Sequence, residues 1–259
     1  MLALAIRAAR AAGRVLAAKY AQPHDIHVKG FRDITTEADL AAETQAMQVI
    51  RQGCPQARFV SEETNSTYSN YEDIPTWYID PLDGTSNYAR GLPMFSVSVA
   101  MVRRGQVVCG VVYDPLLEQL FYAERGGGAF LATPHGEERL QASDNERLID
   151  CIATLDWPRN QALREVSLRF LSRLAIQVDT VRSRGSAALG FCGVAAGWSD
   201  IYFQFSLSPW DVAAGIVIVE EAGGKITDLH GHPYELHQDS WLVTNGRIHR
   251  AVLELEPYA

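Results

Sequence analysis

The 259-residue chain has few cysteines, no long apolar run, no excess of basic charge and no repeat. Its four cysteines, Cys54, Cys109, Cys151 and Cys192, are scattered, and none forms a Cys-x-x-Cys pair. That excludes a disulfide framework, argues against a zinc cluster and fits a reduced, cytoplasmic protein. No stretch is apolar enough to span a bilayer, so no membrane partner is expected. The apolar start, residues 1–6, is soon interrupted by Arg7, Arg10, Arg14 and Lys19, which leaves no signal-peptide core. Lys and Arg total 23 against 31 Asp and Glu, a net charge of -8, which makes nucleic acid a poor main partner. Two further patterns are incomplete. Gly126-Gly127-Gly128 lacks the Lys-Ser/Thr of a phosphate loop and reads as a hairpin turn, and Ser183 and Ser186 have no neighbouring His-Asp pair to activate a serine nucleophile.

Hydrophobic residues make up 47% of the chain, enough for one large domain or two lobes sharing a core. Leu2, Ile6, Leu16 and Tyr20 share one face of a predicted helix over residues 2–20, with the arginines on another. A short extended piece over 31–35 precedes a helix over 36–51, which Gly53-Cys54-Pro55 stops. A strand over 58–61 enters Glu62-Glu63, and the polar stretch 64–73 reads as a surface loop. Strands over 95–102, 106–113 and 119–123, punctuated by turn residues, form an antiparallel meander. From 151 onward strands and helices alternate: strands over 151–155, 178–182, 201–205, 225–227 and 241–244, helices over 160–174, 186–196, 209–222 and 247–255. The charged, proline-containing segment 133–143 suggests an N-terminal α+β lobe over 1–138 and a C-terminal α/β lobe over 139–259, working as one unit. His230-Gly231-His232 lies in a turn-rich segment and reads as a surface loop.

The chemistry centres on Trp77-Tyr78-Ile79-Asp80-Pro81-Leu82-Asp83-Gly84-Thr85. An apolar strand ends in two carboxylates three residues apart, with the Leu82 carbonyl between them, and Gly84-Thr85 follows with amides that can meet an anion. Other acids stand at chain positions a fold can gather. Glu62 and Glu63 follow a strand, and strand alternation would send them to opposite faces. Asp39 falls in a capping box, Thr36-Glu37-Ala38-Asp39, and Asp211 in the first turn of an apolar helix behind Ser208-Pro209. If these acids meet, each like-charged pair at about 4 Å costs on the order of 4 kcal/mol at an effective dielectric near 20, and divalent cations reverse the sign. All-oxygen ligands favour Mg²⁺ or Mn²⁺.

These motifs, with Lys29…Asp33-Ile34-Thr35-Thr36, Arg184-Gly185-Ser186-Ala187-Ala188, Trp210-Asp211-Val212-Ala213-Ala214-Gly215, Glu221-Ala222-Gly223-Gly224 and Thr244-Asn245-Gly246, resemble the inositol monophosphatase family in order and over nearly the whole chain. The resemblance implies an α/β fold of alternating helix and sheet layers, αβαβα. It implies two or three Mg²⁺ ions, one set held by Glu62, Asp80 and the Leu82 carbonyl, another by Asp80, Asp83 and Asp211. Asp39 and Thr85 would orient or deprotonate the attacking water, the Gly84 and Thr85 amides would bind phosphate, and Gly185, Ser186 and Ala187 would line the substrate. Hydrolysis of a small polyol or sugar phosphate monoester and a homodimeric state follow as expectations. Gln204 stands where members acting on inositol phosphates usually carry Glu, so the preferred polyol is open, as is the role of residues 155–159. Rival readings are a fructose-1,6-bisphosphatase or histidinol-phosphate phosphatase on the same scaffold and, from another class, a regulatory binding protein.

Overall fold

The computed structural model describes residues 1–64, 74–256 and 258, so the expected loop over 64–73 lies outside the described residues from 65 on. The N-terminal part runs α1 (Leu2–Lys19), β1 (Ile26–Gly30), β2 (Asp33–Thr36), α2 (Glu37–Gly53), β3 (Arg58–Ser61), β4 (Thr76–Asp83), α3 (Thr85–Tyr88), β5 (Ser96–Arg103), β6 (Gln106–Asp114), β7 (Gln119–Glu124), β8 (Gly128–Thr133) and β9 (Gly136–Arg139). The C-terminal part continues with β10 (Ile152–Leu155), α4 (Gln161–Leu174), β11 (Thr180–Ser183), α5 (Ala187–Ala195), β12 (Ile201–Phe205), α6 (Pro209–Glu221), β13 (Lys225–Thr227), β14 (Ser240–Thr244) and α7 (His249–Leu253).

Small residues let α1 and α2 lie close together: Ala5, Ala8, Ala9 and Ala12 of the first and Ala38, Ala42 and Ala46 of the second are all buried. This pair covers one face of a seven-stranded sheet ordered β3-β4-β5-β6-β7-β8-β9, in which only the β3–β4 pairing is parallel. The predicted meander is therefore present and runs two strands further than the sequence suggested. Gly126–Gly128 turn β7 into β8, and Glu221 accepts from the amides of Gly126 at 2.7 Å and Gly128 at 2.8 Å. Helices α5 and α6 pack on the other face. Beyond them lies a five-stranded sheet ordered β11-β10-β12-β14-β13, with α4 and α7 outside it. The layers thus alternate αβαβα, as the family resemblance implied.

Helix α6 is apolar all round because it lies between two sheets: every residue from Val212 to Val219 is buried. It approaches the first sheet through Gly110 of β6, where an added Cβ would stand 2.6 Å from the Ala214 carbonyl oxygen and 2.7 Å from its Cα. One core cluster joins β4–β8 to α5, α6, β12 and β14, so the two halves share a core.

Three elements differ from the sequence reading. The extended piece at 31–35 is half of the β1–β2 hairpin, and β1 escaped notice because all five of its residues are exposed, with no in–out alternation to read. The last helix is shorter than 247–255: Asn245 Oδ1 accepts from the Arg247 and Ile248 amides, which delays the helix start to His249. The charged segment 133–143 contributes β9 to the first sheet.

His249 is 2% exposed and held between Thr227 Oγ1 on Nε2 at 2.9 Å and Thr244 Oγ1 on Nδ1 at 2.8 Å. Burial, with Lys225 nearby, lowers its pKa to about 4. The folded state therefore takes up this proton later than the unfolded state. The stability His249 lends as a neutral ring is complete above the ordinary value of 6.5 and is lost as pH falls towards 4, a change of about 3 kcal/mol. NMR titration should show a neutral ring at pH 5.5; a ring that titrates near 6.5 contradicts this. Separately, Gly110→Ala should cost about 1–3 kcal/mol in urea unfolding by forcing α6 off the sheet, and an unchanged midpoint would contradict the close approach.

Candidate active site

The site is built at the end of β4. Strict alternation would put Asp80 and Asp83, three residues apart, on opposite faces of the sheet. The pairing with β5 prevents this: Asp80 stands opposite Ser98 and Asp83 opposite Ser96, so three steps on β4 match two on β5. The extra residue is a β-bulge, and it brings the second carboxylate to the first one's side. Asp80 Oδ1 accepts from the Leu82 amide at 2.9 Å. Asp83 reaches across to α5, accepting from Ser186 Oγ at 2.6 Å, the Ala188 amide at 2.8 Å and the Ala187 amide at 3.2 Å.

Gly84 follows in the left-handed region with φ +100°, and its backbone lies so close to the Gly185 and Met94 carbonyls that a Cβ would stand 3.1 and 2.9 Å away. No other residue fits there. Asn87 of α3 ties the same loops together, donating to the Met94 carbonyl at 2.7 Å and the Arg184 carbonyl at 2.8 Å. Thr85 Oγ1 lies 3.0 Å from the Leu82 carbonyl and 3.2 Å from Asp39 Oδ1, two acceptors for one proton. The other Asp39 oxygen completes the expected capping box, accepting from the Thr36 amide at 2.8 Å and its hydroxyl at 2.6 Å. Asp39 thus both caps α2 and faces Thr85.

Asp211 sits in the first turn of α6 and accepts from the Ser208 amide at 2.8 Å. Glu62 and Glu63 do not diverge as strand alternation predicted. β3 ends at Ser61, the chain turns, and both carboxylates close on Lys29 Nζ, at 3.0 and 2.8 Å. Arg159 reaches the same group, 3.6 Å from Glu62 and 3.0 Å from Asp33 Oδ2.

Burial dominates the electrostatics of these acids, and several raise one another. Burial raises Asp80 well above the usual carboxylate range, and Glu62, Asp83 and Asp211 raise it further. Asp211 is raised by burial, then by Glu62 and Asp83. Burial lifts Asp83 to about 7 against the hydrogen bonds from Ser186 and Ala188, and lifts Asp39 to about 7 against those from Thr36. Lys29, which burial alone would lower, is raised by Glu62 and Glu63.

The remaining predicted substrate residues lie on the α5 side. Gly185, with φ +75°, donates its amide to Asp156 Oδ1 at 2.5 Å. The Ser186 hydroxyl and the Ala187 amide, expected to line the substrate, are engaged by Asp83 here. Gln204 Oε1 accepts from the Tyr202 hydroxyl at 2.7 Å, and that hydroxyl also lies 3.4 Å from Asp156 Oδ2. Asp156 further accepts from Ser183 Oγ at 3.0 Å, and its pKa is raised by burial to about 6. Trp157 packs against the core of the second sheet. Sequence reasoning gave no role to Asp156, Arg159, Lys29 or Asp33. Lys29 and Asp33 stood inside a matched motif, and Asp156 and Arg159 in the segment 155–159 whose role stayed open because their partners are distant in sequence.

The donor set of Glu62, Asp80, Asp83, Asp211 and the Leu82 carbonyl is all oxygen and mutually repulsive, and its chemistry fits Mg²⁺ or Mn²⁺. Its geometry is not drawn up for one: among the described residues no three Asp, Glu, His or Cys side chains stand together as ligands. Glu62 faces two cationic side chains and Asp83 the start of α5 instead.

The model of the inositol monophosphatase family matches residues 1–256. The chain belongs to that family. Family members are phosphoric monoester hydrolases, and the chain is one by descent. A curated relative, Nus factor SuhB of Pasteurella multocida, is 40% identical over 238 residues, 90% of this chain and 87% of the relative. A fructose-1,6-bisphosphatase/inositol-1-monophosphatase of Thermotoga maritima is 34% identical, covering 98% and 95%. The solved structure of the extragenic suppressor protein SuhB from Bartonella henselae superposes with a TM-score of 0.90 at 34% identity, covering 98% of this chain and 96% of that one. No helix among the described residues is long and apolar enough to cross a membrane.

Asp80→Asn keeps the acceptor for the Leu82 amide and removes one charge from the cluster. In EDTA it should unfold at higher urea than wild type, by on the order of 1 kcal/mol, and Mg²⁺ should raise the midpoint of wild type more than that of the variant. A variant less stable than wild type in EDTA would contradict the repulsion.

Proposed function

We propose that this protein hydrolyses a small polyol or sugar phosphate monoester of the inositol-1-phosphate type, by direct attack of water with no phosphoenzyme. The observation that carries the reading is the Asp39–Thr85 contact at 3.2 Å at the end of β4, beside Asp80 and Asp211, whose pKa values are raised first by burial and then by Glu62 and Asp83. Glu62, Asp80 and the Leu82 carbonyl would hold one Mg²⁺, and Asp80, Asp83 and Asp211 another. When bound, such ions acidify water, fix in-line geometry and neutralise charge on the phosphoryl oxygens.

The chain's own groups supply the rest. Asp39, with a pKa of about 7, is suited to take a proton at working pH, and Thr85 Oγ1 links it to the end of β4. The Gly84 and Thr85 amides, at the start of the four-residue α3, would bind the phosphate. Gly185, Ser186 and Ala187 would shape the polyol side, with Gln204 offering an amide that both donates and accepts.

A second reading, a sugar bisphosphate, is favoured by the basic rim. Arg159 ties the segment before α4 to the tip of the β1–β2 hairpin through Asp33. Arg164 is fixed to the Pro158 carbonyl at 2.7 Å, and its pKa is lowered by burial and by Arg32 at that tip. Arg164 and Arg32, neither of them in an ion pair among the described residues, suit a second phosphate, and the Thermotoga relative is named for both activities. The name Nus factor belongs to the Pasteurella relative and favours the third reading, a regulatory binding role.

Phosphate release should be measured with Mg²⁺ across inositol, fructose, histidinol and nucleotide phosphates. Release from inositol-1-phosphate supports the first reading, a preference for fructose-1,6-bisphosphate the second, and no release from any substrate the binding role. Asp39→Asn should lower kcat by about a hundredfold or more with the fold retained; near-wild-type turnover would refute its role.

A further inference from the structure

A groove of about 530 Å³ lies between α1 and the end of α2, lined by Arg7, Arg10, Arg14, Val49, Gln52 and Gly53. Cavities of this volume are typical of small-ligand sites. The three arginines fall at i, i+3 and i+7, one stripe of α1, and span about 10 Å at 1.5 Å per residue. All three are exposed, and none forms an ion pair among the described residues.

This arrangement runs against the rest of the chain. The protein carries eight more acids than basic residues, yet α1 contains no Asp or Glu and none lines the groove. Arg250 of α7, by contrast, is paired within a turn, with Glu254 at 2.8 Å. Glu118 and Asp114 act on Tyr113 together with Arg10 and Arg14, but they too stay out of the groove. Like charges at i, i+3 and i, i+4 repel, and among the described residues no ion pair relieves this stripe. A guanidinium row is relieved best by an anion with several phosphates in line, since each fork takes two oxygens of one phosphate.

We propose that this groove binds a linear polyphosphate, as an inorganic chain or as the triphosphate of a nucleoside. The groove is separate from the catalytic carboxylates. Asp39 opens α2 and Gln52 closes it, about 20 Å apart along one rigid helix. Val49 and Gln52 add an aliphatic wall and an amide, which is where a nucleoside would make its difference.

The test is calorimetric titration of the full chain in EDTA with inorganic tripolyphosphate and, separately, with ATP. One site per chain is expected, with affinity falling as salt rises. The variant R7Q/R10Q/R14Q should weaken binding about thirtyfold or more, while its Mg²⁺-dependent phosphate release stays within about twofold of wild type. Tighter binding of ATP assigns the nucleoside form, and equal binding the inorganic one. Absence of binding to wild type, or unchanged affinity in the glutamine variant, overturns the proposal, as does affinity for an acidic peptide alone. If the glutamine variant fails to fold, R10E in an otherwise native chain gives the same reading through a single charge reversal.

Discussion

Repulsion among buried carboxylates is the constraint around which this molecule is arranged. Asp80, Asp83 and Asp211 come from two segments far apart in sequence, and each is driven towards its protonated form by burial and by the others or nearby acids. What holds the group together is distributed: the sheet pairing of β4, the start of α5 against Asp83, the apolar embedding of α6 behind Asp211, and Lys29 with Arg159 in front of Glu62. The stabilising work is done by the layers, and the destabilising group sits where those layers meet.

The cations near the site divide into two kinds. Lys29 and Arg159 are spent on acids and set the position of Glu62, Glu63 and Asp33. Arg32 and Arg164 have no such acid partner in the structure's ion pairs among the described residues. The tip of the β1–β2 hairpin joins them through residues that a stable core would not expose: Phe31 is 67% exposed and lies under the Arg32 guanidinium, and Val28 is 76% exposed. The hairpin is attached to the body largely by charge, so the approach to the site is polar at its base and apolar at its edge.

Most of the architecture was legible in the sequence because burial there is periodic. Strands such as Gln119–Glu124 and helices such as Leu2–Lys19 carry the pattern of the faces they bury, and their limits follow from Pro, Gly and capping residues. β1 was illegible for the opposite reason, since a strand that buries nothing has no pattern. At the site, the β4 end and its Gly-Thr could be singled out because turn chemistry is local. The direction of Glu62 and Glu63 could not, because strand alternation stops at Ser61 and Lys29, more than thirty residues earlier, decides it. The attachment of Asp83 to Ser186, Ala187 and Ala188 is likewise a contact over more than a hundred residues, and nothing in either segment alone announces it.

The bulge between Asp80 and Asp83 has a further consequence. The side to which the second carboxylate faces is a matter of parity: it depends on one extra residue inserted in β4 against its neighbour, whatever side chain that residue bears. Point substitutions at Leu82 leave that count intact. Losing one residue there, or gaining one opposite in β5, would turn a carboxylate through half a revolution, away from α5 and α6 to the face covered by α1 and α2, so this short segment tolerates changes of letter far better than changes of length.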